Sequence, residues 1–146
     1  METVKPQDFK NHARVVPLFH FFTLPVLLVN VIWRLVELRN GLAFSSIFGV
    51  VLATALLFLG LYARTFVLSV QDRIIRLEMT LRLEKLLPAE LRSRIGEITP
   101  DQLIGLRFAG DDELPGLAKQ ALDEKGLSRK TIKSRVKNWK PDYMRA

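Results

Sequence analysis

The sequence predicts an all-α protein: a transmembrane helical hairpin whose second helix is extended as a cytoplasmic stalk, followed by a small bundle of short helices. Three observations predict it. Two apolar runs, Val15 to Val36 and Leu42 to Ala63, each reach the roughly 20 residues with which a helix rising about 1.5 Å per residue crosses a hydrocarbon core of about 30 Å. Neither Gly nor Pro interrupts Arg64 to Leu87. After Pro88, helix-start signals recur at short intervals. The expected organisation is a leading segment, 1–14, the hairpin, 15–63, the stalk, 64–87, and a basic helical module, 88–146.

Charge divides along the same boundaries. Of 22 Lys and Arg, 17 follow Ala63, against 12 of the 15 acidic residues, which leaves the C-terminal part at +5. From Arg129 onward seven bases face the single acid Asp142. Cysteine is absent, which excludes disulfides, thiolate metal sites and a cysteine nucleophile. Two histidines are too few for most metal cages.

The leading segment is polar, and Lys10, His12 and Arg14 suit a patch at headgroup level or an ordinary positively charged flank. The first span opens with the aromatics Phe19, Phe21 and Phe22 and carries Trp33 near its other end, an aromatic-belt pattern. It is too long for a signal-sequence core of about 7–15 apolar residues, and Glu37-Leu38-Arg39-Asn40 is no cleavage site, so an uncleaved span is expected. Pro17 fits a first turn; Pro25 removes a backbone donor inside the span and predicts a kink there.

His20, Thr23, Asn30, Arg34 and Glu37 recur on one stripe of that helix, with Leu27 filling the gap. Polar groups in hydrocarbon are costly unless paired, so the stripe predicts a neighbour. Three arrangements answer it. His20 and Asn30 hydrogen-bond to the second span while Arg34 pairs with Glu37; the stripe docks against another membrane subunit; or His20 ligates a tetrapyrrole or haem, or joins a proton path with Glu37.

In the second span Ser45, Gly49 and Ala53 repeat every fourth residue, a spacing that lets helix backbones approach closely. The first span is the expected partner, with a second copy as the alternative. Asn40-Gly41 supplies the turn. Lys5, Lys10 and Arg14 before the hairpin and Arg64, Arg73, Arg76 and Arg82 after it outnumber Arg34 and Arg39 around the turn, so both termini are expected on the cytoplasmic side.

Along the stalk, Val67, Val70, Ile74, Leu77 and Leu81 follow the 3,4 spacing of a coiled-coil seam, flanked by acid-before-base pairs Asp72/Arg76 and Glu78/Arg82. Such a seam needs a covering strip: first the chain's own C-terminal helices, otherwise a second protomer or the membrane surface.

Pro88 opens a short helix to about Ile95, and Thr99-Pro100-Asp101-Gln102 is a capping box that starts another, to about Phe108. Asp111 or Asp112 is expected to cap a helix running to Lys125, which Gly126 closes. Ser128 caps the last helix, Leu127 to Trp139, with Ile132, Val136 and Trp139 on one edge and Arg129, Lys133, Lys137 and Lys140 forming a basic face. That face suits solvent or protein, then anionic lipid; nucleic acid is the least favoured ligand.

The acidic run Asp111-Asp112-Glu113 lacks the spacing of a calcium loop, and no phosphate-binding loop, nucleophile elbow or zinc-protease pattern occurs. No catalytic or metal residue is therefore assigned, and enzymatic activity is not expected.

Gln7-Asp8-Phe9-Lys10-Asn11-His12-Ala13-Arg14, Pro17-Leu18-Phe19-His20, Gln71 to Glu78, Leu106-Arg107-Phe108-Ala109, Ile132-Lys133 and Trp139-Lys140-Pro141-Asp142 together resemble an uncharacterised bacterial family of small two-span membrane proteins, a domain of unknown function. The resemblance implies the two-span topology and a bacterial inner membrane, and gives no residue a role. The expected function is an accessory or scaffold subunit making protein contacts in a larger membrane complex, with Arg73, Arg76 and Trp139 as contact residues. The alternatives are a tethered module binding anionic lipid or nucleic acid through its basic helix, or a peripheral subunit of a respiratory or photosynthetic complex with His20 near a tetrapyrrole.

Overall fold

Every regular element among the described residues is helical, as the absence of strand-period alternation requires. The computed structural model describes residues 7–11, 15–124 and 126–143. His12, Arg14 and Lys125, to which a headgroup patch and a helix end were assigned, lie outside them. The helices are α1, Leu24–Glu37; α2, Phe44–Leu86; α3, Ala89–Arg92; α4, Pro100–Leu106; α5, Leu114–Asp123; and α6, Arg129–Arg135. The chain divides into two units, Arg14–Leu68 and Met1–Ala13 with Ser69–Ala146, and α2 contributes residues to both.

In the first unit a π-helical stretch, Leu18–Thr23, leads into α1. Just ahead of Pro25, where a kink was expected, the helix is π-wound. Pro25 has no N–H, and the helix compensates by widening: the Leu24 N–H reaches back five residues to the Phe19 carbonyl. The Thr23 hydroxyl donates to the Leu18 carbonyl at 3.1 Å. A single 3₁₀ turn, Leu38–Asn40, then meets Gly41, whose φ of 150° favours glycine.

Helices α1 and α2 pack through small residues. Ala53 is 2% exposed. A Cβ on Gly49 would lie 3.4 Å from the Arg34 side chain, and one on Gly60 would lie 3.2 Å from Leu27. The groove therefore runs Gly49, Ala53 and Gly60, and Ser45, placed in it from sequence, is exposed. Elsewhere the hairpin turns its apolar residues outward, with Leu18 76%, Phe21 74% and Phe44 84% exposed. Leu18–Asn40 and Phe44–Leu86 are both long and apolar enough to cross a membrane.

In the second unit, Ile75, Met79, Leu83 and Leu87 form one side of a core completed by Ile95, Ile98, Leu103, Leu106, Leu114, Leu117 and Ile132. Each such side chain contributes about 1.5–3 kcal/mol on burial. The residues expected to meet the C-terminal helices do not: Val67, Val70, Ile74, Leu77 and Leu81 are exposed. At about 100° per residue the two sets lie on roughly opposite faces of α2. The four-residue spacing of 75, 79, 83 and 87 selects the covered face.

Local signals hold at α4. The Thr99 hydroxyl accepts from the Gln102 N–H at 3.3 Å, and the Gln102 side chain accepts from the Thr99 N–H at 2.9 Å. Buried Gln102 also donates to the Ala121 carbonyl at 3.2 Å, which ties α4 to α5. Ser128 caps α6 as predicted, accepting from the Thr131 N–H at 3.2 Å.

The last helix, however, stops at Arg135 instead of reaching Trp139. Val136 is extended, and Ala109 and Trp139 form an isolated antiparallel bridge, with Gly110 N–H donating to Asn138 and Lys140 N–H to Phe108. Trp139 thereby packs its ring 4.7 Å from that of Phe108.

Candidate functional site

No group of three His, Asp or Glu is placed to hold a metal among the described residues, so the polar constellations are the places to look for function. The first is the α1 stripe. His20 is half-buried, its Nδ1 2.9 Å from the Val16 carbonyl oxygen and 3.1 Å from the Val16 N–H, so its partner is its own helix and not the second span. Thr23 bonds its own preceding turn. Arg34 donates to Glu37 at 2.8 Å, the pairing expected from sequence, and the Trp33 indole donates to the other Glu37 oxygen at 3.0 Å. Asn30 is half-buried. His20, Thr23, Arg34 and Glu37 thus bond locally within the first span, and Arg34 additionally lies along Gly49.

The second constellation was not anticipated. Arg82, half-buried on α2, donates to Asp111 at 2.7 Å, to the Ala109 carbonyl at 2.6 Å and to the Arg107 carbonyl at 3.3 Å. The hydrogen bond from Arg82, then its charge, hold the Asp111 carboxyl below its ordinary value of 3.8. Asp112 accepts from the Asn138 side chain at 2.7 Å. Glu113 accepts from the Lys137 and Asn138 N–H groups at 3.0 Å each.

Neither Asp111 nor Asp112 caps α5, whose flanking residue is Glu113 without a side-chain cap. The acidic run instead clamps α2 on one side and the C-terminal segment on the other. It also explains the short last helix, since Glu113 takes two N–H groups that a longer helix would have used internally. Gly110 leaves room at this crossing: a Cβ there would sit 2.5 Å from the Asp112 carboxylate, which would have to shift, and 3.2 Å from Asn138.

The expected basic face does not survive. Lys133 is 9% exposed, with its ammonium 4.9 Å from the Phe108 ring centroid. Arg129 pairs with Asp101 at 3.1 Å, while Lys137 and Lys140 lie beyond the helix. Trp139, expected as a contact residue, is half-buried with its ring against Phe108. Arg135 pairs with Glu124 at 2.6 Å, and that hydrogen bond holds the Glu124 carboxyl below its ordinary value of 4.5.

Arg73 and Arg76 are exposed on α2. Arg82 turns to Asp111 rather than to Glu78, its expected partner four residues back. Near the chain ends, the Gln7 side chain accepts from the Asp142 N–H at 2.8 Å and donates to its carbonyl at 3.4 Å. Asp142 also pairs with Arg107 at 3.5 Å. No short motif marks either contact in the sequence.

A family model described as a family of unknown function, DUF6526, matches residues 1–146. No curated protein and no solved structure matches the chain.

Proposed function

The chain belongs to the DUF6526 family, whose function is unknown, and on that premise we propose that it is a two-pass integral membrane accessory or scaffold subunit of a bacterial inner membrane, presenting a helical module on the cytoplasmic side to a larger complex. The carrying observation is the hairpin's outer surface: its large apolar side chains are exposed, while polar residues of the first span bond to one another and to their own turns. Such a surface suits lipid or an apolar protein face.

Two further features support this. Phe44 with Phe48, and Tyr62 with Phe66, stack near the two ends of the second apolar run. From residue 44 to residue 66 a helix rises about 33 Å, the spacing of two interfacial aromatic belts. Gln7 and Asp142 are hydrogen-bonded in one unit, and two residues that meet need an even number of crossings between them.

Cross-linking in native membranes followed by mass spectrometry tests the role. A stoichiometric larger neighbour is expected. A protein recovered without any neighbour contradicts it.

A second role, near a tetrapyrrole in a respiratory or photosynthetic complex, is favoured by the engagement of His20 Nδ1 with Val16, which leaves Nε2 as the ligating atom. A visible absorption band abolished by His20→Ala supports that role; a colourless protein from native membranes removes it.

A further inference from the structure

We propose that Val67, Val70, Ile74, Leu77 and Leu81 form the seam of a parallel two-stranded coiled coil with α2 of a second copy of this chain. These five side chains are exposed although the opposite face of the same helix is covered by the C-terminal helices. The chain's own module has therefore used the other face. What remains is a row of large apolar groups at alternating spacings of three and four.

The residue types specify the partner. Val67, Ile74 and Leu81 take the first core position of the heptad, and Val70 and Leu77 the second. β-branched residues at the first and Leu at the second, as in the central pair Ile74 and Leu77, favour two strands. Arg73 immediately precedes a first-position residue, and Glu78 immediately follows a second-position one. In a parallel pair these flanking positions face each other five residues apart across the interface, so Arg73 meets Glu78 of the partner copy, twice by symmetry. An antiparallel pair sets the positions that precede a first-position residue against one another, and likewise those that follow a second-position one, so Arg73 would not meet Glu78. Both side chains are exposed, and Arg82 takes Asp111 instead of Glu78.

Two heptads are too short to associate strongly from free solution. Anchorage raises the effective concentration, and copies inserted in one membrane emerge with α2 in the same direction, which selects the parallel form. The preference for parallel pairing by anchorage rests on the membrane reading; the apolar seam and the charge pairs do not.

The chain has no cysteine, so single cysteines report proximity without background. Full-length Val70→Cys and Leu77→Cys are each oxidised in membranes of the expressing cell, with exposed Arg76→Cys, off the seam, as control. Self-cross-linked dimer is expected at both 70 and 77 and not at 76. Cross-linking at both positions requires parallel register, because in an antiparallel pair only residues near the two-fold axis meet their own copies, and 70 and 77 lie about 10 Å apart along the helix. In the Leu77→Cys background, Arg73→Glu is expected to lower the dimer fraction several-fold, and adding Glu78→Arg to restore it.

Fractionation accompanies the assay. Sedimenting protein with no dimer at 70 or 77, or cross-linked only to other proteins, overturns the coiled coil and leaves the membrane reading standing. Protein in the supernatant that cross-links at both positions overturns the membrane reading and leaves the coiled coil.

Discussion

Arg82 ties α2 to the segment that follows α4. Its guanidinium joins α2 to the Arg107 and Ala109 carbonyls and to Asp111. Arg82→Ala leaves these acceptors without their charged donor, and is expected to cost about 2–3 kcal/mol in denaturant unfolding of the full chain. An unchanged midpoint would show that the clamp contributes nothing. The same cluster gives a pH dependence. Asp111, held low by Arg82, and Glu124, held low by Arg135, stay ionised to lower pH when folded than when unfolded. The unfolded chain therefore binds more protons over that window. Their contribution is complete above the ordinary values of 3.8 and 4.5 and is lost as pH falls through the lower folded values. Asp111→Asn is expected to flatten the acid limb of a stability-against-pH curve; a limb of wild-type steepness would contradict this. Thr99 and Gln102 were legible because cap partners lie three residues apart. Arg82 and Asp111 were not, because 29 residues separate them and nothing local marks either as paired.

At the level of elements, α2 carries two apolar faces with different uses. Leu83 is fully buried and Leu77 is 63% exposed. Leu83→Ala is expected to destabilise the C-terminal unit by about 2–5 kcal/mol, whereas Leu77→Ala should change its unfolding by no more than about 0.5 kcal/mol and act on association instead. Equal effects in denaturant would mean that the faces had been assigned wrongly. The run of α2 beyond Ala63 and its end before Pro88 followed directly from the sequence, since no Gly or Pro lies between Arg64 and Leu87. Both stripes could also be read there, yet periodicity does not say which one the rest of the chain covers. The early end of α6 is a tertiary effect. Lys133 fits helical spacing as part of a basic face, but the Phe108 ring beneath it draws the side chain inward. Glu113 then captures Lys137 and Asn138 before another turn can form.

For the whole molecule, the all-helical class and the two long apolar helices came from composition and run length alone, the coarsest signals a sequence carries. The meeting of Gln7 with Asp142 could not be foreseen, since 135 positions separate them. Outward apolar side chains and two stacked aromatic pairs are what a hairpin placed in lipid would present, and the Gln7–Asp142 contact is compatible with it. Impermeant maleimide labelling of intact cells tests that placement most directly, using Arg39→Cys in the turn and Lys119→Cys on the exposed side of α5. Once the outer membrane has been made permeable, Arg39→Cys should label at once and Lys119→Cys only after the inner membrane is opened. Labelling of both from the same side, or recovery of the protein in a detergent-free supernatant, would contradict the two-span hairpin.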